Sequence, residues 1–309
     1  MRRRENRGLG QIRNAAFALC GLLACLSPAQ PVAAPLEVIT RKPEGAADTR
    51  NLYVESLLSQ ALEKAEVNAS ILQAKTPFTR DRLLQELIAG ENIHVTADSP
   101  KPGWEENLLT VRIPLRKGIQ GYRLFLINKQ DQADLAQVDT LEELKKIPTG
   151  SGAQWSITRT LKDAGFNLVT TEDYETLFDM LEYRRFITFG RGINEAFREQ
   201  ENFSKRNPNL VVEQSLCLFI PLPTYFFVSP KHPELAEKIE TGLERMIEDG
   251  SFDAHFLLFH GDDIERAQLS ERKVFKVPNT DLGDAYELGD PSYWYDPKAF
   301  EKDRTENRS

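Results

Sequence analysis

Hydrophobic positions along the chain alternate between two spacings, one typical of strands and one typical of helices. Short apolar runs with β-branched residues at 36–40, 93–97 and 122–128 predict strands. Apolar residues recur every three or four positions in residues 52–65, which predicts an amphipathic helix. Gly90 follows another such pattern and is suited to end that helix in a left-handed cap. The alternation predicts an α/β fold with one or two open, largely parallel sheets.

The second half of the chain carries clear start and stop signals. Thr140 and Glu143 have the spacing of a capping box, in which each side chain accepts from a backbone N–H at a helix start. Pro233 precedes a helix predicted over 234–249, in a position that favours proline. The segment 210–229 predicts two strands interrupted by prolines, because proline cannot donate within a ladder.

The first 34 residues differ from the rest of the chain. Residues 1–13 are basic, residues 15–26 are continuously apolar, and small residues follow as far as Val32-Ala33-Ala34. This order predicts a cleaved secretory signal over residues 1–34, because the apolar run is too short to span a bilayer. We therefore expect the mature protein in the periplasm. The alternative is a lipid-anchored form, in which Cys25 carries the lipid.

Removal of that segment changes the charge and the cysteine content. The chain has 39 basic and 47 acidic residues, and residues 1–34 hold five and one of them, so the mature chain keeps 34 and 46, a net charge of −12. Nucleic acid is excluded as an expected partner, since it requires a positive surface. Cys217 is the one cysteine left of three, so no internal disulfide forms, and its apolar neighbours predict a small core residue.

Residues 147–155, IPTGSGAQW, run through a glycine-rich turn into a predicted helix. The glycine spacing and the missing lysine exclude a phosphate-binding loop, and a dinucleotide fingerprint also fails. Two interpretations stay open. Either Ser151 caps the helix and Trp155 is a core residue, or the N–H groups of residues 151–154 and the Trp155 ring grip a ligand.

Arginine gives a second indication of a binding site. Arg191 lies between two glycines, just past a predicted short strand and before a predicted helix. A planar donor at the carboxyl end of a strand suits recognition of a carboxylate. Tyr122 and Arg123 begin the strand that links the two halves of the chain. Surface ion pairs are the alternative interpretation of both arginines.

Catalytic and metal-binding patterns are sparse. The four histidines have no partner carboxylate at a zinc-type spacing, and no G-x-S-x-G sequence occurs. We predict neither a metal site nor a cofactor. Glu195 and Asp173 are the two carboxylates that could serve an enzyme as acid or base.

The order of these pieces resembles the type 2 periplasmic solute-binding proteins, in the polar amino-acid-like branch that serves bacterial transporters. The likeness covers roughly residues 36–275 and is carried by LLQELIAGENIHVTA, GYRLFLI, DTLEELKKIPTGSGAQW and YFFVSPKHPELAEKIETGLERMIEDGSFDAHF. It implies two α/β lobes, each a mixed sheet flanked by helices, joined by crossover strands near Leu126–Asn128 and Leu222–Tyr225. The implied division is a signal peptide at 1–34, lobe 1 at 35–126 plus 223–275, lobe 2 at 127–222, and a tail at 276–309 that packs by its aromatic residues and frays after Phe300.

The same resemblance implies a ligand held between the lobes and gripped by the second-lobe segment Thr149–Trp155. In the family, an arginine three residues after a threonine helps to hold an amino-acid carboxylate; neither that arginine nor the aspartate that usually follows the first-lobe glycine has a match after Gly90, so we expect a different small polar, anionic ligand. The predicted ligand-binding residues are Tyr122, Arg123, Thr149, Ser151, Gly152, Trp155 and Arg191.

The first hypothesis for function is therefore a monomeric periplasmic protein that closes on its ligand and serves a membrane transporter or a membrane sensor. The second is a periplasmic enzyme on the same scaffold, either dehydratase-like or lytic. The third is an interaction module that has lost its pocket.

Overall fold

The computed structural model describes residues 34–42, 51–78, 80–279, 282 and 290–297. The predicted signal peptide, apart from its last residue, and the predicted fraying after Phe300 lie outside these ranges. In the parts of the chain that are described, no helix combines the length and the apolar character needed to cross a bilayer.

Strands and helices alternate through most of the described chain. The strands are β1 (Leu36–Thr40), β2 (Ala69–Gln73), β3 (Val95–Asp98), β4 (Leu109–Val111), β5 (Tyr122–Asn128), β6 (Thr149–Gly152), β7 (Leu168–Thr171), β8 (Thr188–Gly192), β9 (Leu210–Val212), β10 (Leu216–Phe219), β11 (Tyr225–Val228) and β12 (Lys273–Lys276). The helices are α1 (Leu52–Lys64), α2 (Arg80–Ala89), α3 (Trp104–Asn107), α4 (Gln132–Leu135), α5 (Leu141–Lys146), α6 (Ser156–Asp163), α7 (Tyr174–Glu182), α8 (Ile193–Phe203), α9 (Pro233–Glu248) and α10 (Ser251–Ala267).

Local signals in the sequence explain several of these boundaries. The Thr140–Glu143 capping box is present at the start of α5. Pro233 is the first residue of α9, as its fixed φ favours. Gly90 follows α2 with a φ of +71°, a conformation that glycine adopts without steric cost. These three predictions are confirmed.

The first lobe contains two small sheets. In one, β1 and β2 are parallel, and in the other β11 lies between antiparallel neighbours β3 and β4. Helices α1 and α9 pack closely beside them. A Cβ added at Gly242 would lie 1.9 Å from the carbonyl oxygen of Ala61, so only glycine permits this approach.

The second lobe is built on one mixed sheet of seven described strands. Its order is β12-β10-β5-β8-β6-β7, and β9 also pairs with β5. Strands β6, β7 and β8 are mutually parallel, whereas β5 is antiparallel to β8, β9 and β10. The pattern-based expectation of largely parallel sheets is therefore wrong, and the two-lobed fold with mixed sheets is confirmed.

Three further differences from the sequence-based elements have tertiary causes. The glycine-rich segment 149–152 is a strand and not a turn, because it is paired with β7 on one side and β8 on the other. The segment 210–229 holds three strands where two were expected. Helix α10 and strand β12 were not predicted, and β12 extends the second-lobe sheet by pairing with β10.

The lobes share part of their hydrophobic core. Tyr53 and Leu57 of α1 belong to the same cluster of buried residues as Ile193 of α8, and Phe256 of α10 is also in it. Cys217 of β10 lies in this cluster with its side chain fully buried, and burial raises the pKa of its thiol to about 12. Its prediction as a core residue is confirmed.

The chain passes between the sheets at the start of β5 and at the end of β10. The Ile220 N–H donates to the Gly121 carbonyl at 2.9 Å, which ties the two passing segments together. Residues 126–128, which the resemblance marks as a crossing, pair with β9 inside the larger sheet. The lobe boundaries themselves stay a prediction.

Tail residues 290–297 lie against the first of these passing segments. The Tyr295 N–H donates to the Lys117 carbonyl at 2.8 Å, and its ring meets that of Tyr122 edge-on at 6.2 Å. A Cβ at Gly118 would lie 2.3 Å from the ring of Trp294. Aromatic side chains therefore attach this part of the tail to the connection between the lobes.

Candidate functional site

The carboxyl ends of β6, β7 and β8 define one edge of the second-lobe sheet, because parallel strands end on the same side. Gly152, Thr171 and Gly192 are the last residues of these strands, and we call this the carboxyl edge. Strand β5 begins there, with Arg123 opposite Gly192. The carboxyl edge is also where the chain passes to the first lobe, and ligands of open α/β sheets bind at such edges.

Trp155 lies directly after β6 and precedes the first turn of α6. A Cβ at Gly152 would lie 2.4 Å from its indole ring, so glycine at that position lets the ring pack on the backbone. The indole is stacked on Phe189 of β8, with ring centroids 5.9 Å apart and an interplanar angle of 20°. Trp155 therefore has a fixed position at the carboxyl edge.

The structure corrects the prediction that the N–H groups of residues 151–154 lie at a helix start. Helix α6 begins at Ser156, so these residues are not its first turn. The Ala153 N–H donates to the Thr171 carbonyl at 2.9 Å, because β6 and β7 continue their pairing beyond the strand ends. The helix N-terminus that faces this edge is one turn further along the chain than the sequence indicated.

The hydroxyl side chains of β6 are hydrogen-bonded to hydroxyl groups of neighbouring elements. The hydroxyls of Ser151 and Thr158 lie 2.7 Å apart, and Thr158 also donates to the Gly152 carbonyl at 2.6 Å. Thr149 is at the far end of β6, where its hydroxyl lies 2.8 Å from that of Thr188. Ser151 and Gly152 are thus at the carboxyl edge, and Thr149 is at the opposite end of the strand.

Arg191 is inside β8 and not beyond it, and its side chain is 6% exposed. Its Nε and Nη2 donate to the two carboxylate oxygens of Glu199, each at 2.6 Å, in a bidentate pair. Nη2 also lies 3.2 Å from Oε1 of Glu195. Among the described residues, Nη1 has no hydrogen-bond partner. The guanidinium is held rigidly by its Nε–Nη2 edge and by Glu195, and Nη1 is the one nitrogen that no described residue engages.

Aromatic rings surround the same guanidinium. Its Cζ lies 4.5 Å from the centroid of the Trp155 ring and 5.2 Å from that of Phe189, distances typical of cation–π contacts. The Tyr174 hydroxyl donates to Oε1 of Glu199 at 2.8 Å. Trp155, Tyr174, Glu195 and Glu199, with Arg191 at their centre, are called the Arg191 cluster below.

The charges within the cluster stabilise one another. Burial opposes the charge of Arg191, but Glu195 and Glu199 outweigh it and raise the pKa of the guanidinium above its ordinary value. Burial likewise opposes the charge of Glu195, but Arg191 and Arg123 outweigh it and lower the pKa of that carboxyl. Both groups are therefore charged at neutral pH.

Arg123 joins the cluster from β5. Its Nη2 donates to the Gly190 carbonyl at 2.8 Å, its Nη1 donates to the Gln120 carbonyl at 3.2 Å, and its Nη1 lies 3.6 Å from Glu195. Burial, offset in part by Glu195, lowers the pKa of the Arg123 guanidinium to about 10. Arg123 thus remains a cation at neutral pH and supports the carboxylate of Glu195.

Tyr122, the neighbour of Arg123, lies on the other side of β5. Its ring is 4.5 Å from that of Phe219, and burial raises the pKa of its hydroxyl to about 12. Since its ring also meets the tail residue Tyr295, it contacts the tail and β10 and not the Arg191 cluster.

Arg116 is a third buried arginine whose charge acts on the cluster. It lies 4.9 Å from the ring of Tyr53 of α1, and its charge reaches Glu195 of α8. Its Nη1 is 3.1 Å from Nε2 of His260 of α10. Arg116 therefore adds positive charge near Glu195 while its side chain contacts Tyr53 and His260.

On the first lobe, a small cavity of about 20 Å³ lies between the end of β1 and the start of α1. It has room for about one water molecule. Its polar lining residues are Thr40, Arg41, Asn51, Glu55 and Thr96.

Sequence reasoning missed Glu199, which forms the bidentate pair with Arg191, and Tyr174, which donates to Glu199. A signal for Glu199 was present, because Arg191, Glu195 and Glu199 follow one another at four-residue intervals and α8 begins at Ile193. Asp173 has a structural role, since its carboxylate accepts from the Thr176 N–H and caps α7. No group of three or more metal-ligating side chains occurs among the described residues.

The fold on which this site lies is that of the type 2 periplasmic solute-binding proteins, as the sequence resemblance predicted. An ancestral arginine-binding protein bound to arginine superposes with a TM-score of 0.51 at 19% identity, over 73% of this chain and 97% of its own. An amino acid transporter substrate-binding protein from Streptococcus pneumoniae, bound to L-arginine, superposes with a TM-score of 0.51 at 13% identity, over 74% and 94% of the two chains.

A third structure, a periplasmic binding protein from Silicibacter pomeroyi in complex with lysine, has a TM-score of 0.50 at 12% identity and covers 74% and 98% of the two chains. No protein-family model and no curated protein sequence matches the chain. At these identities the structural likeness establishes the fold and not the ligand.

Proposed function

We propose that the protein is a periplasmic solute-binding protein that closes its two lobes on a small polar, anionic ligand at the carboxyl edge. The bound ligand is delivered to a membrane transporter or reported to a membrane sensor. The single observation that carries this proposal is the geometry of Arg191, a buried guanidinium fixed against Trp155 by two carboxylates, with Nη1 left without a partner among the described residues.

The chemistry of that group favours an anion. A charged guanidinium N–H such as that of Nη1 donates to carboxylate or phosphate oxygens, and pre-positioning by Glu199 reduces the entropy lost on binding. Arg123 and Arg116 add positive charge nearby, and Trp155 offers the face of an indole ring to an apolar part of the ligand. The fold supports a ligand between the lobes, because the carboxyl edge is where the chain passes from one lobe to the other.

The experiment is a thermal-shift screen of the purified mature protein, followed by calorimetry on each hit. The panel contains phosphate, sulfate, dicarboxylates, acidic amino acids, basic amino acids and neutral sugars. We expect anions to raise Tm and the hit to decrease the radius of gyration in X-ray scattering. Stabilisation by the neutral or basic compounds alone would contradict the proposal.

A pair of variants tests the site. Arg191→Ala should lose binding of the hit at least tenfold. Arg184→Ala is the matched control, because Arg184 also pairs with a buried carboxylate, that of Asp131 at 2.5 Å, away from the carboxyl edge. Equal loss in both variants would mean that general destabilisation, and not the site, explains the result.

One observation favours a second candidate, the interaction module without a ligand. The lobes share a hydrophobic cluster, and Arg191 is already bound to the protein's own carboxylates. A protein that no compound in the panel stabilises, and whose scattering never changes, would support this candidate. Turnover is less well supported, because the low pKa of Glu195 makes it a weak base and Asp173 serves as a helix cap.

A further inference from the structure

The Arg191 side chain is bound by its surroundings in the way that a free cation would be bound. Glu199 accepts two N–H groups in a bidentate pair, Glu195 contributes a second carboxylate, and the indole of Trp155 covers the planar face. Aromatic faces and paired carboxylates are the groups that receive guanidinium and alkylammonium ions in proteins.

We propose that Trp155, Tyr174, Glu195 and Glu199 form a receptor for a planar organic cation, which Arg191 fills from within the chain. Arg191 is then the residue that determines the charge of the ligand. With it in place, the carboxyl edge presents Nη1 to an anion; without it, the same groups accept a guanidinium compound. The selectivity part of this inference rests on the proposed function, whereas the receptor itself does not.

The walls of the receptor do not depend on Arg191 for their position. Trp155 is stacked on Phe189, and Gly152 allows its close approach to the backbone. The Tyr174 ring packs edge-on against Phe178 at 5.2 Å and against Phe203 at 5.8 Å. Truncation of Arg191 should therefore leave a preformed space with its aromatic walls intact.

Removal of Arg191 also leaves a charge in need of a partner. Glu199 is 8% exposed, and apart from Arg191 its carboxylate receives the Tyr174 hydroxyl. An uncompensated carboxylate at that depth is strongly unfavourable, so an added cation that fits the space should bind. Glu195 would keep Arg123 as a counter-charge, which makes Glu199 the stronger of the two sites of attraction.

The test is chemical rescue of Arg191→Ala with ethylguanidinium, which reproduces the planar head of the missing side chain. We expect ethylguanidinium at ten times its Kd to raise Tm of the variant by about 3–5 °C and to bind once per chain in calorimetry. Ethylammonium should act more weakly, because it lacks the bidentate edge. The wild type and Arg184→Ala should show no shift with either compound.

A second variant, Arg191→Ala combined with Glu199→Gln, should lose the rescue. If Arg191→Ala does not fold unaided, refolding from urea is compared with and without ethylguanidinium, and recovery of the native signal supports the receptor. A folded variant that ignores ethylguanidinium, or an unfolded one that it does not recover, overturns the inference. Failure of the wild type to bind any anion would contradict the proposed function but not the receptor, so the two failures are distinguishable.

Discussion

Two buried arginines in the second lobe are bound in different ways. Arg272 donates to backbone carbonyls, from Nε to Ala267 and from Nη1 to Glu213, each at 2.5 Å. Arg191 donates to the side chains of Glu199 and Glu195, and aromatic rings surround it. Arg272 therefore joins backbone segments, whereas Arg191 joins side chains at the carboxyl edge.

Glu213, the carboxylate partner of Arg272, also binds the backbone. Glu213 is fully buried, and its carboxylate accepts from the N–H groups of Ser215 at 2.7 Å and Leu216 at 2.6 Å. It therefore fixes the turn between β9 and β10 in addition to pairing with Arg272 at 3.7 Å. Three substitutions and one change of pH test this comparison of Arg272 with Arg191, beginning with the largest expected effect.

Glu213→Ala should cost about 3–5 kcal/mol of unfolding free energy, because it leaves Arg272 buried without its carboxylate. Urea unfolding measures this loss. Ligand affinity per folded molecule should not change. Glu142→Ala, at an exposed carboxylate, is the control, and a loss below about 1 kcal/mol for Glu213→Ala would remove the distinction between the two arginines.

Glu199→Gln should cost about 2–3 kcal/mol of stability, since it weakens two charge-assisted hydrogen bonds to Arg191. In contrast to Glu213→Ala, it should also reduce affinity for the ligand at least tenfold, because Nη1 loses its fixed orientation. Urea unfolding and calorimetry on the same preparation separate the two effects. Unchanged affinity would show that the bidentate pair with Glu199 does not position Nη1 of Arg191 for the ligand.

Acidification should destabilise the Arg191 cluster through Glu195. Because the folded state lowers its pKa, the group stabilises the protein fully above its unfolded pKa of about 4.3. That contribution is lost as pH falls from about 4.3 through the lower folded value. Unfolding free energies of the wild type and Glu195→Gln, compared between pH 7 and pH 3, should converge at the acid end, and parallel curves would contradict this linkage.

Tyr174→Phe should have the smallest effect, about 1 kcal/mol, because it removes one hydroxyl donor to Glu199 and keeps the ring. Tyr183→Phe is the matched control, since that side chain is 76% exposed. Thermal unfolding of both variants checks the difference. Equal Tm values would indicate that the Tyr174 hydroxyl contributes nothing to the stability of the Arg191 cluster.

The sequence predicted the fold more fully than it predicted the site. Capping boxes, prolines and helix-ending glycines act over a few residues, so Thr140–Glu143 and Pro233 marked their helices correctly. Strand β6 was not predicted because its residues, TGSG, have low strand propensity. Its extended conformation is imposed by pairing with β7 and β8. Helix α10 was not predicted because its apolar residues do not lie on a single face: Phe252 and Phe256 are buried, whereas Leu257 and Leu258 are exposed.

Of the residues named from the sequence, Ser151, Gly152, Trp155, Arg123 and Arg191 lie together at the carboxyl edge, and their role in binding stays a prediction. Glu199 was missed although Arg191, Glu195 and Glu199 follow one another at four-residue intervals. That spacing is only a partial signal, because the contact also depends on how α8 packs on β8.

Cys217 offers a direct readout of motion within the larger sheet. Its thiol is buried in β10, the strand next to β5, and no other cysteine occurs in the described chain. A thiol-specific reagent can reach it only when the strands around it separate. The rate of labelling in native buffer thus reports how often this part of the molecule opens, with and without ligand, and no engineered probe is required.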